Sequence, residues 1–137
     1  MTTIQLLQTI ENTANQTQGI NQFSHLDIYR TIDTNEIKYT VVCMVLQSMT
    51  VKENFVSYTF QFYAADRLNN AETNRNLIVA NLFDIAENYV ANLRNADGVL
   101  NIEYDRQYNN SEYRTMDVVS CIYGTLTIDV ESEFNAC

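Results

Sequence analysis

From Glu36 to Asp66 apolar side chains recur at every second position. Tyr39, Val41, Cys43, Val45 and Met49 share one parity, and Val42, Met44 and Leu46 make the other side partly apolar too. That pattern predicts a strand covered on both faces. The stretch "YTFQFYAADRLNN" at Tyr58–Asn70 then places Tyr58, Phe60, Phe62 and Ala64 on one face and Thr59, Gln61 and Tyr63 on the other, until alternation stops at Ala65. The segment "TVKEN" at Thr50–Asn54 is short and polar enough to turn the chain back, so Ile37–Met49 and Phe55–Ala64 are predicted to pair as a long antiparallel hairpin. These strands exceed the usual length of about five or six residues, and such a hairpin is expected to project beyond the core.

Elsewhere the period is helical. Ile4, Leu7, Ile10 and Ala14 predict a short amphipathic helix over Thr3–Asn15, after a threonine that can cap its first turn. Ile78, Leu82, Ile85, Ala86, Tyr89 and Leu93 define a long helix over Thr73–Leu93, widened by Val79, Phe83 and Val90 and closed by Asp97–Gly98. Gln16–Asn35 reads as a long polar loop with room for one short strand. Two strand-like runs follow the long helix: Val99–Tyr108, with Leu100, Ile102 and Tyr104 on one side, and Asp117–Val130, with Val118, Ile122, Leu126, Ile128 and Val130. Between them "YNNSEYR" at Tyr108–Arg114 reads as a polar connection. The expected fold is a single α+β domain over 1–137: a mainly antiparallel sheet of about four strands with a long hairpin, one long helix and a short N-terminal helix packed on it.

Charge narrows the partners. The 137 residues hold 17 acidic against 8 basic side chains, a net charge of −9. A chain that clamps nucleic acid must neutralise phosphates with Lys and Arg, so this balance argues against one; an acidic surface suits a conduit that DNA passes without sticking. The hydrophobic fraction of 46% and charged fraction of 18% are those of a folding domain. Cys43, Cys121 and Cys137 have no C-x-x-C spacing and read as buried small hydrophobes with a terminal thiol, which fits folding in a reducing cytoplasm. The first residues lack a basic and then apolar leader, and no run approaches the length of a membrane span, so neither a secreted precursor nor a membrane protein is expected.

Candidate chemistry is sparse. His25 beside Asp27 has no nucleophile nearby, so no catalytic residue is assigned. No recurring Cys/His spacing points to a metal, and no glycine-rich phosphate loop points to a nucleotide cofactor, so neither is expected. Glu103 with Asp105, and Asp129 with Glu131 and Glu133, sit at i, i+2 spacing and so on one strand face; they read as a solvated face that in a ring would line an electronegative channel. The nine tyrosines lack the basic groove that a nucleic-acid stacking platform needs. Long strands leave unpaired edges, a liability that disappears when a neighbouring subunit covers them.

The run "FQFYAADRL", followed by "NNAETNRNLIVANLFDIAENYVANLR" as one helix, within the order helix, loop, hairpin, helix and two closing strands, resembles the tail-terminator or tail-completion family of tailed bacteriophages, in particular the neck-ring proteins of crAss-like phages. The resemblance rests on Phe60–Leu93. It implies a virion structural protein without catalysis: a homo-oligomeric ring of six or twelve copies between portal or head and tail, with neighbouring neck, portal or tail proteins on its faces and a lumen for DNA passage without specific binding. It places the protein in the virion neck after folding in the host bacterial cytoplasm. On that reading Asp66 and Arg67 fix a strand-to-helix corner or an interface, Thr50, Val51, Lys52, Glu53 and Asn54 reach a neighbour, Glu103, Asp105, Asp129 and Glu131 face the lumen, and the Gln16–Asn35 loop orders against partners. The alternatives are a small α+β ligand-binding domain or enzyme with a concave polar pocket, and an accessory interaction protein without ring symmetry.

Overall fold

A computed structural model describes residues 1–27, 37–67, 71–112 and 119–132. The elements follow the order α1 (Thr3–Gln16), β1 (Gln22–Ser24), β2 (Val41–Val51), β3 (Phe55–Arg67), α2 (Ala71–Arg94), β4 (Val99–Glu112) and β5 (Val119–Glu131). All strands join one sheet in the order β1-β2-β3-β5-β4. β1 runs parallel to β2, and the other pairs are antiparallel. The fold is therefore α+β with a mixed five-stranded sheet rather than about four antiparallel strands. The added strand is β1, within the polar loop, of which residues 28–35 lie outside the described residues. Because β4 and β3 both run antiparallel to β5, β3, α2 and β4 form a crossover between two parallel strands, with β5 inserted between them.

Local chemistry sets the helices. The Thr2 hydroxyl accepts the Gln5 N–H at 3.2 Å and the Gln5 side chain accepts the Thr2 N–H at 2.8 Å, a reciprocal cap that satisfies two end donors of α1. Leu6, Ile10 and Ala14 are its buried residues, spaced by four, and Leu7 packs at their rim. Ile4 is 69% exposed. The expected face is thus rotated, because two spacings of three carry Ile4 off the stripe that spacings of four maintain. On α2 the buried stripe is Leu82, Ile85, Ala86, Tyr89, Val90 and Leu93, while Phe83 and Leu77 stay exposed. The helix ends with Asn95 and Ala96 N–H bonded to the Asn92 and Leu93 carbonyls, and Gly98, at φ 88°, turns the chain into β4.

Both helices contribute to one core on one sheet face. Tyr58, Phe60 and Phe62 from β3 meet Ile122, Leu126, Ile128 and Val130 from β5, Val42 and Met44 from β2, and the stripes of both helices. Phe62 stacks on Tyr89 with ring centres 6.2 Å apart and meets Tyr104 edge-on at 5.6 Å. The Tyr89 hydroxyl donates to the Ile10 carbonyl at 3.1 Å, which ties α2 to α1, and burial pushes that phenol's pKa upward. Gly124 pairs with Phe62 on one side and Arg106 on the other. A Cβ there would fall on the Asp105 carbonyl oxygen, so the close approach of β4 requires glycine. Arg106 then lies 4.4 Å over the Tyr104 ring and pairs with Glu87 of α2 at 2.6 Å.

On the opposite face Val41, Cys43 and Ala65 form a second, smaller buried cluster, with Ile37, Tyr39 and Tyr63 against it. β2 is therefore covered on both faces only over Val41–Met44 and is exposed from Gln47 onward. Its ladder with β3 shifts register between Leu46 and Ser48, which moves Met49 onto the helix-bearing side, opposite to the side shared by Val41 and Cys43. A similar shift between Val99 and Asn101 leaves Leu100 outside the alternation, 60% exposed, while Ile102 and Tyr104 turn to the core. Two further expectations are corrected. β3 continues through Asp66 and Arg67, paired with Ser120 and Val119, and β4 continues through "YNNSE" to Glu112. In both places β5 supplies a partner, and ladder bonds override the weak strand preference of Asp and Asn. Val118, Cys137 and Glu133 lie outside the described residues.

Candidate functional site

The predicted interface residues separate into two places. Thr50, Val51, Lys52, Glu53 and Asn54 are all exposed at the end of the β2–β3 hairpin. The Lys52 N–H donates to the Phe55 carbonyl at 2.8 Å, and the Ser132 N–H donates to the Asn54 carbonyl at 3.2 Å, which anchors the tip to the chain beyond β5. The hairpin does not project alone, because β5 pairs with β3 from Phe55 to Arg67. Its length is matched by a neighbour inside the same chain.

Asp66 and Arg67 lie at the other end of β3. The Arg67 N–H donates to the Asp66 carboxylate at 2.9 Å, and the Thr40 hydroxyl bonds the same carboxylate. Half-burial still raises the Asp66 pKa above the ordinary carboxylate value, because desolvation outweighs these two bonds. Asp66 helps line a cleft of about 530 Å³ between the α1–β1 turn, the start of β2, the end of β3 and α2. Its polar wall on α2 is Asn81, Asp84 and Asn88, continued by Asn92, whose amide donates to the Thr17 hydroxyl at 3.1 Å. Across the cleft the Asn21 amide donates to the Tyr39 carbonyl at 2.6 Å. Sequence reading missed this cleft, although Asn81, Asp84, Asn88 and Asn92 form a polar stripe at helical spacing that was visible in advance. The two carboxylates, Asp66 and Asp84, are accompanied there by the amides of Asn21, Asn81 and Asn88 and by the Thr40 hydroxyl.

Four acidic residues share one face of the sheet. Val130 and Ile128 face the helices, so Asp129 and Glu131 face away from them; Glu103 opposite Thr127 and Asp105 opposite Thr125 lie on that same face. Asp129 accepts a short hydrogen bond from the Ser57 hydroxyl. From Asn101 to Gln107 and from Cys121 to Glu131 no lysine or arginine occupies this face. The surface continues through Thr59 and Thr127, whose hydroxyls are 3.4 Å apart, and through the stacked Tyr63 and Tyr123 rings, 6.2 Å between centres.

His25 is exposed and meets Phe23 edge-on at 4.8 Å. Cys43 and Cys121 are buried, and no disulfide joins them. Among the described residues no three His, Cys, Asp or Glu side chains converge as metal ligands, and no helix is long and apolar enough to cross a membrane. No protein-family model and no curated protein matches the chain.

Proposed function

We propose that this chain is a structural subunit of a tailed-phage head-to-tail connector, one that assembles into a ring and turns its uncovered sheet face toward the lumen. The observation that carries the reading is that face itself: Glu103, Asp105, Asp129 and Glu131 together, with no intervening cation or covering helix among the described residues. A polyanion passing such a wall finds no counterion-releasing contact and slides instead of binding. The helices would then form the outer layer, toward the proteins that surround the conduit. Light scattering on the purified chain at several concentrations, with negative-stain images of the same sample, tests this. Rings of six or twelve copies with a central hole are expected, and a single subunit at every concentration overturns the reading.

The cleft beside Asp66 favours a second reading, a small ligand-binding domain. Its wall of amides and two carboxylates fits a small polar or cationic ligand. A monomer whose melting temperature rises with such compounds, and loses that rise in Asn88→Leu, is the expected outcome of this alternative.

A further inference from the structure

The geometry points to how copies join: we propose that the bare edge of β2 (Met44–Val51) in one copy pairs antiparallel with the outer edge of β4 in the next. This rests on the ring reading above and specifies its contact. β1 covers β2 only from Val41 to Cys43, so among the described residues no strand pairs with the far side of Met44–Val51. β4 ends the sheet on the opposite side. Since β2 is antiparallel to β3 and β3 runs with β4, these two edges have opposite sense. Copies related by rotation about an axis along the strands therefore present them to each other as an antiparallel pair, and the contact is head-to-tail, the kind that closes into rings.

The heights agree as well. Val51, Val56, Val130 and Val99 lie on one line across the sheet, and Met44, Phe62, Gly124 and Arg106 on another. The uncovered part of β2 is thus level with Val99–Arg106, and a closed ring, which allows no rise between neighbours, needs this match. Each of the two segments carries one register shift, at Gln47 and at Leu100. Exposed apolar side chains gather at the same end of both edges: Met49 at 56% and Val51 at 70% on β2, Leu100 at 60% on β4. Edge strands are commonly guarded by charge or proline, and Met44–Val51 has neither. Its one guard is the shift at Gln47, which turns Met49 and Val51 to the helix side. Glu103 and Asp105 on β4 meet no like charge there.

The test uses one lysine on each edge. Val51→Lys and Leu100→Lys change exposed side chains, and circular dichroism checks that each variant keeps the native spectrum; Met49→Lys and Leu100→Glu replace either one that does not. Light scattering is expected to show rings for the unaltered chain and the single-subunit mass of 15.8 kDa for each variant alone. An equimolar mixture of the two variants is expected to give twice that mass and no more, because one lends its intact β2 edge and the other its intact β4 edge. Rings from both variants, or a mixture that stays at one subunit, overturn the edge pairing and leave the ring reading standing. An unaltered chain that never assembles removes the ring reading and this pairing with it.

Discussion

The two faces of the sheet are built from the same strands, and neighbouring residues meet opposite fates. On β3, Tyr58, Phe60 and Phe62 are buried under two helices, while Ser57, Thr59 and Gln61 beside them lie on the uncovered side. On β5, Leu126, Ile128 and Val130 belong to the core, and Thr125, Thr127 and Asp129 to the open face. One face therefore holds the domain together, and the other is nearly released from that duty. Changes to the first should cost stability, and changes to the second should register mainly in assembly.

Phe62→Ala should produce the largest effect, a loss of about 3–5 kcal/mol in denaturant unfolding, because it removes a ring that touches both Tyr89 and Tyr104. A loss under about 1 kcal/mol would mean that the aromatic cluster is loosely packed. Gly124→Ala should cost roughly 3 kcal/mol, at the upper end for overpacking, since its Cβ needs the space of the Asp105 carbonyl. Near-normal stability would show that β4 can draw back from β5. Ser57→Ala on the open face should cost only about 1 kcal/mol through its bond to Asp129. Thr127→Ala should stay within about 0.5 kcal/mol, and a larger loss would blur the contrast between the faces.

Asp66 gives the smallest effect and the clearest pH signature. Its folded pKa is raised, chiefly by desolvation, so the folded state holds the proton more tightly than the unfolded chain. The stabilising contribution is complete below the unfolded carboxylate pKa and is lost as pH rises through the folded one. Asp66→Asn should therefore gain melting temperature relative to the parent across that acidic window and hold a constant advantage above it. An unchanged difference from pH 3 to pH 7 would assign the carboxylate to a fully solvated site.

Much of this contrast was legible before the structure. Strict alternation in Tyr58–Ala64 identified the buried side of β3, and the spacing of Leu82, Ile85, Ala86, Tyr89 and Leu93 identified the buried side of α2. What failed was local and physical. Alternation assumes an unbroken pleat, so the shifts at Gln47 and Leu100 reassigned Met49 and Leu100. Composition read "YNNSE" as a loop, but the paired length of β5 determines where β4 ends. The cleft around Asp66 draws on Gln18, Tyr39, Asp66 and Asn81, whose proximity only the tertiary fold creates. The i, i+2 spacing places Glu103 with Asp105 and Asp129 with Glu131 within each strand, and the β4–β5 register, which only the folded sheet supplies, puts the two sets on one face.

The insertion of β5 between β3 and β4 has a consequence for biosynthesis. The strand that joins the two halves of the sheet leaves the ribosome after every other element described. Until it emerges, the nascent chain can make the β2–β3 hairpin and coil α2, but β4 has no strand to pair with, and the aromatic side of β3 lacks Leu126 and Ile128. Closure is then a single late step over a long sequence separation, Phe55 to Glu131. A chain cut short before Val119 would leave a three-stranded remnant with an open apolar flank, material for quality control and not for assembly.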